Sequence, residues 1–193
     1  MSATLDCQIF YDSSRQPPPA LPTLQPLQPL QAQAPPGLPT PAAQVPWLQW
    51  APRVTVCDVA TDPPAAERLS RFGVAVPDDL PAMLLSGADG RLRLLGVQLR
   101  AEELARLAAG RAWAPSSMVV YMTGWCGDCR LAKRLLGEAG MEFAEVDLER
   151  DAGAESIVLR RSGGRRVVPT LEVDGRLWAF NPDPPQLRRL FAP

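Results

Sequence analysis

The sequence predicts an α/β protein built as two consecutive units of one plan. Three observations carry that reading. Strand-like and helix-like runs alternate from Arg53 to the end of the chain, the pattern of α/β folds. The order of runs in the second stretch repeats the order in the first. Lastly, a pair of thiols stands two residues apart in Gly124-Trp125-Cys126-Gly127-Asp128-Cys129, after an apolar strand and at the start of an amphipathic helix.

The totals narrow the function classes. A chain of 193 residues has room for one ordinary domain or two small ones. With 20 basic against 21 acidic residues, the charge gives no reason to expect nucleic acid or a membrane surface as partner. No run approaches the ~20 apolar residues of a spanning helix, and Met1 to Phe10 lacks the basic-then-apolar pattern of a signal peptide. A cytoplasmic protein is expected. There is no histidine, which removes Ser-His and Cys-His nucleophile pairs and every Cys/His zinc pattern. Of the cysteines, Cys7 and Cys57 are isolated and only Cys126 and Cys129 are close. A four-thiolate zinc site would need all of them, so no metal is expected. In a reducing compartment a lone close pair reads as catalytic.

Cys7 to Tyr11 is a short run of strand formers. Gln16 to Pro52 then holds twelve prolines among Leu, Gln and Ala. Proline fixes φ and removes a donor, so this stretch (about 16–52) reads as an extended insertion, either a surface linker or a docking segment for a proline-recognising groove. Trp47, Leu48 and Trp50 at its end are expected to pack back onto a domain. Arg53 to Val59 alternates as a strand. Asp62-Pro63 supplies a helix start, with the Asp62 side chain as cap acceptor, and Gly73 a stop. Leu80 to Leu85, the turn Ala88-Asp89-Gly90 and Arg91 to Leu95 form a hairpin. A helix from Arg100 to Ala109 closes the unit.

After a connector at 113–117, Met118 to Met122 is a strand of the kind buried on both faces. The cysteine motif opens a helix with Leu131, Leu135 and Ala139 on one side, stopping at Gly140. Glu142 to Leu148 is a strand and Ala152 to Arg161 a helix. Val167 to Val173, the turn Asp174-Gly175 and Arg176 to Phe180 form a second hairpin, and Asp183-Pro184 starts a last helix.

The repeat is seen in near-constant offsets. Asp58 and Asp147 stand 89 apart, Pro81 and Pro169 stand 88 apart, and Asp89-Gly90-Arg91-Leu92 recurs 85 later as Asp174-Gly175-Arg176-Leu177. Tyr11 is matched with Tyr121, which puts Ser13 and Ser14 near the place of the thiols. Residues 1–112 therefore read as a copy that has lost the thiols of the motif. Both prolines open a hairpin strand, where no ladder donor is needed, and both X-Pro bonds, Leu80-Pro81 and Val168-Pro169, are expected to be cis.

Residues 118–193 resemble a glutaredoxin of the thioredoxin superfamily. The resemblance rests on Trp125-Cys126-Gly127-Asp128-Cys129 after its strand, on Val168-Pro169-Thr170, and on the closing hairpin and helix. Ser162 to Thr170 and Asn181-Pro182 are most similar to mycoredoxins. The resemblance implies a four-stranded mixed sheet flanked by helices. The whole chain is similar, more loosely, to tandem thioredoxin-fold proteins, with a degenerate thioredoxin-like unit at 1–112 and a catalytic domain at 118–193. Glutathione-using members carry Tyr or Phe where this chain has Asp128, and a Gly-Gly turn where it has Phe180-Asn181-Pro182-Asp183.

The chemistry follows from the motif. A helix N-terminus aims unpaired N–H groups at Cys126 and lowers its pKa, to about 3.5–7.5 in such motifs. Cys126 is the expected nucleophile and Cys129, one turn on, the resolving thiol. Trp125 either shields the thiol or simply packs. Asp128 opposes a thiolate, accepts a proton from Cys129, or is a solvated first-turn acid. Arg165 and Arg166 either hold a substrate carboxylate or form a solvated charge run. As the family implies, Val168 offers backbone groups to an incoming thiol or chain, and the expected substrate-binding set is Trp125, Gly127, Asp128, Arg166, Val168, Pro169 and Thr170. The expected function is thiol–disulfide exchange on protein or mixed disulfides, with glutathione, mycothiol or a similar low-molecular-weight thiol as co-substrate. The alternatives are a protein-disulfide reductase fed by a thioredoxin-reductase-type donor, and a binding adaptor with vestigial redox capacity.

Overall fold

The computed structural model describes residues 5–15, 53–87, 92–108, 113, 115–184, 187 and 190. The proline-rich stretch, with Trp47, Leu48 and Trp50, and the turn expected at 88–90 lie outside the described residues. The elements run β1 Leu5–Tyr11, β2 Arg53–Asp58, α1 Pro63–Ser70, β3 Ala82–Gly87, β4 Leu92–Gly96, α2 Ala101–Ala108, β5 Met118–Met122, α3 Gly127–Glu138, β6 Ala144–Asp147, α4 Ala152–Arg161, β7 Thr170–Val173 and β8 Leu177–Phe180. Beyond β8 the Leu187 amide donates to the Asp183 carbonyl at 3.0 Å, a helical turn where the last helix was expected.

The strands form one mixed sheet in the order β2-β1-β3-β4-β8-β7-β5-β6. Read inward from either edge, the senses are the same. β1 is parallel to β2 and antiparallel to β3, and β5 is parallel to β6 and antiparallel to β7. Each unit was expected to hold a four-stranded mixed sheet; β4 pairs with β8 and joins the two sets of four into one continuous sheet, with Leu95 opposite Trp178. Unpaired strand edges are a liability, and this pairing covers two of them at once.

The register corrects one match drawn from sequence. Tyr121 lies opposite Thr170, the residue after Pro169, and Phe10 lies opposite Ala82, the residue after Pro81. Phe10, not Tyr11, is thus the counterpart of Tyr121. Counting on from there, Ser13 and Ser14 correspond to Gly124 and Trp125, and Arg15 falls at the place of Cys126. The bonds Leu80-Pro81 and Val168-Pro169 are cis, as expected, and so is Val76-Pro77.

Each face of the sheet carries its own core. One joins Ile9, Met83, Leu94, Val120, Leu171 and Leu177 to Leu104 of α2 and to Ala132 and Leu136 of α3. The other joins Phe10, Leu95, Tyr121, Trp178 and Phe180 to Leu69 of α1 and Val158 of α4. Burying one such side chain contributes about 1.5–3 kcal/mol. On α3 the fully buried stripe is Cys129, Ala132 and Leu136; of the expected stripe, Leu135 is partly buried and packs against the same core, while Ala139 is exposed. Both sets have helical spacing, and the sheet takes the stripe that carries the second cysteine. Asp62 is the N-cap of α1 but makes no cap bond with its side chain, which turns instead to Arg68 at 3.5 Å.

Polar contacts seal the junction between the two sets of strands. Glu103 of α2 is 7% exposed and accepts from Arg176 at 2.8 and 2.9 Å, as well as from Arg100. The Trp113 indole donates to Asp174 at 2.9 Å. Among the described residues no helix is long and apolar enough to cross a membrane.

Candidate active site

The site sits where β5 ends and α3 begins. The apolar run Met118-Val119-Val120-Tyr121-Met122 buries its strand, with Val120 fully inaccessible. A tight turn follows, the Cys126 amide donating to the Thr123 carbonyl at 3.2 Å. Cys126 is the N-cap of α3, and its Sγ accepts from the Cys129 amide at 3.0 Å. Ser, Thr and Asp oxygens usually fill this role; here a sulfur does. Cys126 and Cys129 are joined as a disulfide, Cα to Cα 5.3 Å. Both are buried, at 5% and 1%, so Cys126 is the thiol nearer the surface.

A groove of about 370 Å³ opens beside Cys126. Trp125, Gly127 and Asp128 line it on the motif side. Trp125 is 66% exposed, and its indole donates to Glu149 at 3.0 Å, which fixes the ring at the rim. Asp128 is exposed in the first turn of α3, where a negative charge favours the helix dipole. Arg166, Val167, Val168 and Asn181 make the other wall. Arg166 lies 3.1 Å from Glu155 of α4, an ion pair within the chain.

The cis proline anchors that second wall from behind. Pro169 is buried, and its carbonyl accepts from the Asn181 amide at 2.8 Å. Thr170 is fully buried, and its hydroxyl donates to the Val167 carbonyl at 2.8 Å. Of the substrate-binding set expected from sequence, Trp125, Gly127, Asp128, Arg166 and Val168 line the groove, while Pro169 and Thr170 stand behind it. Arg165 is tied back to Ser162, whose side-chain oxygen accepts from its amide at 3.2 Å. Val167, Asn181, Glu149 and Glu155 were not foreseen as site residues. Asn181 carried the one available signal, since it replaces a family Gly-Gly turn.

Beneath the motif, Thr123 is 1% exposed and its hydroxyl has no partner among the described residues. Tyr121 stacks on Trp178 at 5.9 Å and donates to Glu172 at 2.5 Å. Burial first, and then Glu172, push the Tyr121 hydroxyl up, so it stays a protonated donor. The other two cysteines are free and buried. They lie in the cores of opposite sheet faces, which is why neighbouring strands do not bring them together. Burial, and then the Asp6 charge, push the Cys7 thiol up to about 12.

Comparison with known proteins decides the lineage. The family model for glutaredoxin matches residues 118–178. A Mycobacterium tuberculosis protein named as a glutaredoxin is 30% identical over 73 residues, 38% of this chain and 87% of that protein. Mycoredoxin 1 of Corynebacterium glutamicum is 34% identical over 67 residues, 35% of this chain and 82% of that protein. The chain belongs to the glutaredoxin family. Among solved structures, glutaredoxin C1 of Populus tremula x tremuloides is 26% identical, covering 40% of this chain and 79% of that one with a TM-score of 0.30. A thioredoxin-like protein is 25% identical, covering 39% and 94%, with a TM-score of 0.34. As a member of that family the chain is a glutaredoxin-like redox protein, and the family match covers the groove residues from Trp125 to Val168 while Asn181 lies beyond it.

Proposed function

We propose that this glutaredoxin reduces mixed or protein disulfides through Cys126 and Cys129. The observation that carries the reading is the Cys126 sulfur, capped by the Cys129 amide at 3.0 Å on the edge of an open groove. In the reduced protein the Cys126 thiolate attacks one sulfur of the substrate disulfide. A bond forms between Cys126 and that sulfur, and the other sulfur leaves as a thiolate that takes up a proton. Cys129 then gives up its proton and attacks the Cys126 sulfur, which releases the second substrate thiol and closes the Cys126–Cys129 disulfide. Two electrons pass from the protein dithiol to the substrate. A low-molecular-weight thiol or a reductase returns them.

The co-substrate is read from the groove. Arg166 is already paired with Glu155, and Asp128 adds negative charge at the mouth. Neither favours the carboxylates of glutathione. Similarity to mycoredoxin 1 supports a neutral thiol such as mycothiol. A second reading, a protein-disulfide reductase with a thioredoxin-reductase-type donor, draws on the exposed Trp125 at the rim, a surface that suits a protein client. We assign residues 118–193 as the catalytic domain, 113–117 as a connector and 1–112 as a degenerate thioredoxin-like unit. That assignment rests on the matching strand senses and on the near-constant sequence offsets. The cytoplasm, a reducing compartment, suits a dithiol that must be recycled.

The test is turnover of a mixed disulfide by the full chain. Wild type is expected to turn over and Cys126→Ser to be inactive. Turnover that survives Cys126→Ser overturns the mechanism. Absence of turnover in wild type, with tight capture of a partner by residues 1–112, would leave an adaptor.

A further inference from the structure

The strands that carry no Cys-x-x-Cys pair raise the question of what residues 5–108 contribute to a groove they do not line. The contacts of α4 answer it. Arg161, at the C-terminus of that helix, donates to the Gly73 carbonyl at 2.9 Å and lies 3.8 Å from Asp79. Both partners belong to the segment between α1 and β3. The side chain is only 16% exposed, and its guanidinium also covers the Trp178 ring at 5.9 Å.

Side chains pack closely against two glycines at the same place. A Cβ on Gly163 would stand 3.0 Å from the Phe72 ring, and one on Gly73 would stand 2.2 Å from the Arg160 side chain. Both glycines have positive φ, 69° and 62°, so each is used for its backbone and for its missing side chain. Phe72 and Gly73 on one side and Arg160, Arg161 and Gly163 on the other thus form a reciprocal clamp.

That clamp grips the element that leads directly into the groove wall. After Gly163 the chain runs through Arg165, tied to Ser162, to Arg166, Val167 and Val168, which line the groove. Arg166 is in turn held by Glu155 from α4 itself. The helix and the wall are one mechanical piece, pinned at Glu155 and at Arg161–Gly163. A shift of the clamp therefore becomes a shift of Val168, which lines the groove beside Cys126.

We propose that Phe72 and Arg161 are positioning residues for substrate recognition: the unit without the dithiol serves as an internal buttress that sets the Arg166–Val168 wall, and so tunes how tightly a disulfide substrate is held. This inference rests on the dithiol reading above. The buttress acts on binding geometry and leaves the chemistry of Cys126 alone, because none of its contacts touches the motif. Misplacing a binding wall by 1 Å costs up to about 100-fold, and loss of one clamp contact is a milder change.

The experiment uses the full-length protein, pre-reduced, with a short peptide whose single cysteine is a mixed disulfide with 2-mercaptoethanol. The concentration dependence of single-turnover reduction gives a half-saturation concentration and a limiting rate. Phe72→Ala and Arg161→Lys should each raise half-saturation about tenfold, with the limiting rate within twofold and the Cys126 thiolate titration, read at 240 nm, unmoved. If Phe72→Ala does not fold, Arg161→Lys, which keeps charge and stem, carries the test. Half-saturation within twofold of wild type in the folded variants overturns the buttress, and so does a shifted thiolate titration that accounts for the loss. Wild type that leaves the peptide unreduced, or Cys126→Ser that reduces it, overturns the dithiol reading and this inference with it.

Discussion

The Cys129 amide donates to the Cys126 sulfur at 3.0 Å, so the residue proposed as the resolving thiol also donates to the proposed nucleophile. In the reduced protein that bond becomes charge-assisted if the sulfur is a thiolate, and charge-assisted bonds are about twice as strong as neutral ones. The Cys126 pKa should therefore lie below the ~8.5 of a free cysteine. Absorbance at 240 nm against pH measures it, and a midpoint at or above that value would remove the basis for nucleophilic attack.

Asp128 works against the same thiolate. Two charges a few Å apart in water interact by roughly 1 kcal/mol or less, or about half a pKa unit. Asp128→Asn should thus lower the Cys126 pKa by about half a unit. It should also remove a helix-dipole contribution of about 0.3–1 kcal/mol, seen as a small drop in the denaturant midpoint. A rise in the Cys126 pKa would contradict the reading in which Asp128 opposes the thiolate.

Cys7 should be inert. Its thiol is buried and its pKa pushed up to about 12 by burial and by Asp6, so almost no thiolate exists at neutral pH. Alkylation of the reduced native protein by iodoacetamide should modify Cys126 and spare Cys7 until the chain is unfolded. Rapid native labelling of Cys7 would show that β1 opens readily.

Acid should loosen the junction at α2. Burial pushes the Glu103 carboxyl up, but hydrogen bonds from Arg100 and Arg176 outweigh it and hold the group below its usual value. Asp174 is lowered in the same way, its burial outweighed by Trp113 and the Ser117 and Ser116 amides. A depressed carboxylate stabilises the fold above its unfolded pKa, about 4, and that contribution is lost as pH falls through the folded value. Glu103→Gln should cost about 1–3 kcal/mol at neutral pH and flatten the acid limb of stability below pH ~4. Denaturant midpoints between pH 3 and 7 measure both effects.

Local signals made most of this fold legible. Turn chemistry marked Asp174-Gly175, which has positive φ at both residues, as Asp-Gly hairpins require. Periodicity found α4 to the residue. The dithiol was legible because it is a short motif with a fixed helical context. The inner face of α3 was not, since two stripes of equal spacing compete and only the sheet chooses between them. Nor was the Phe10–Tyr121 correspondence, because sequence offsets cannot resolve one residue across an insertion. The clamp of Phe72 on Gly163 was hidden for a third reason: it joins residues far apart in the chain through a strand pairing, β4 with β8, that leaves no local signature.

Peptide mapping of Cys129→Ser by mass spectrometry, after reaction of the reduced variant with the peptide mixed disulfide, tests the central claim most directly. Without the resolving thiol the first intermediate should persist, as one peptide per chain in disulfide linkage to Cys126. An adduct on Cys7 or Cys57 instead, or a fully reduced peptide with no adduct at all, would contradict the account.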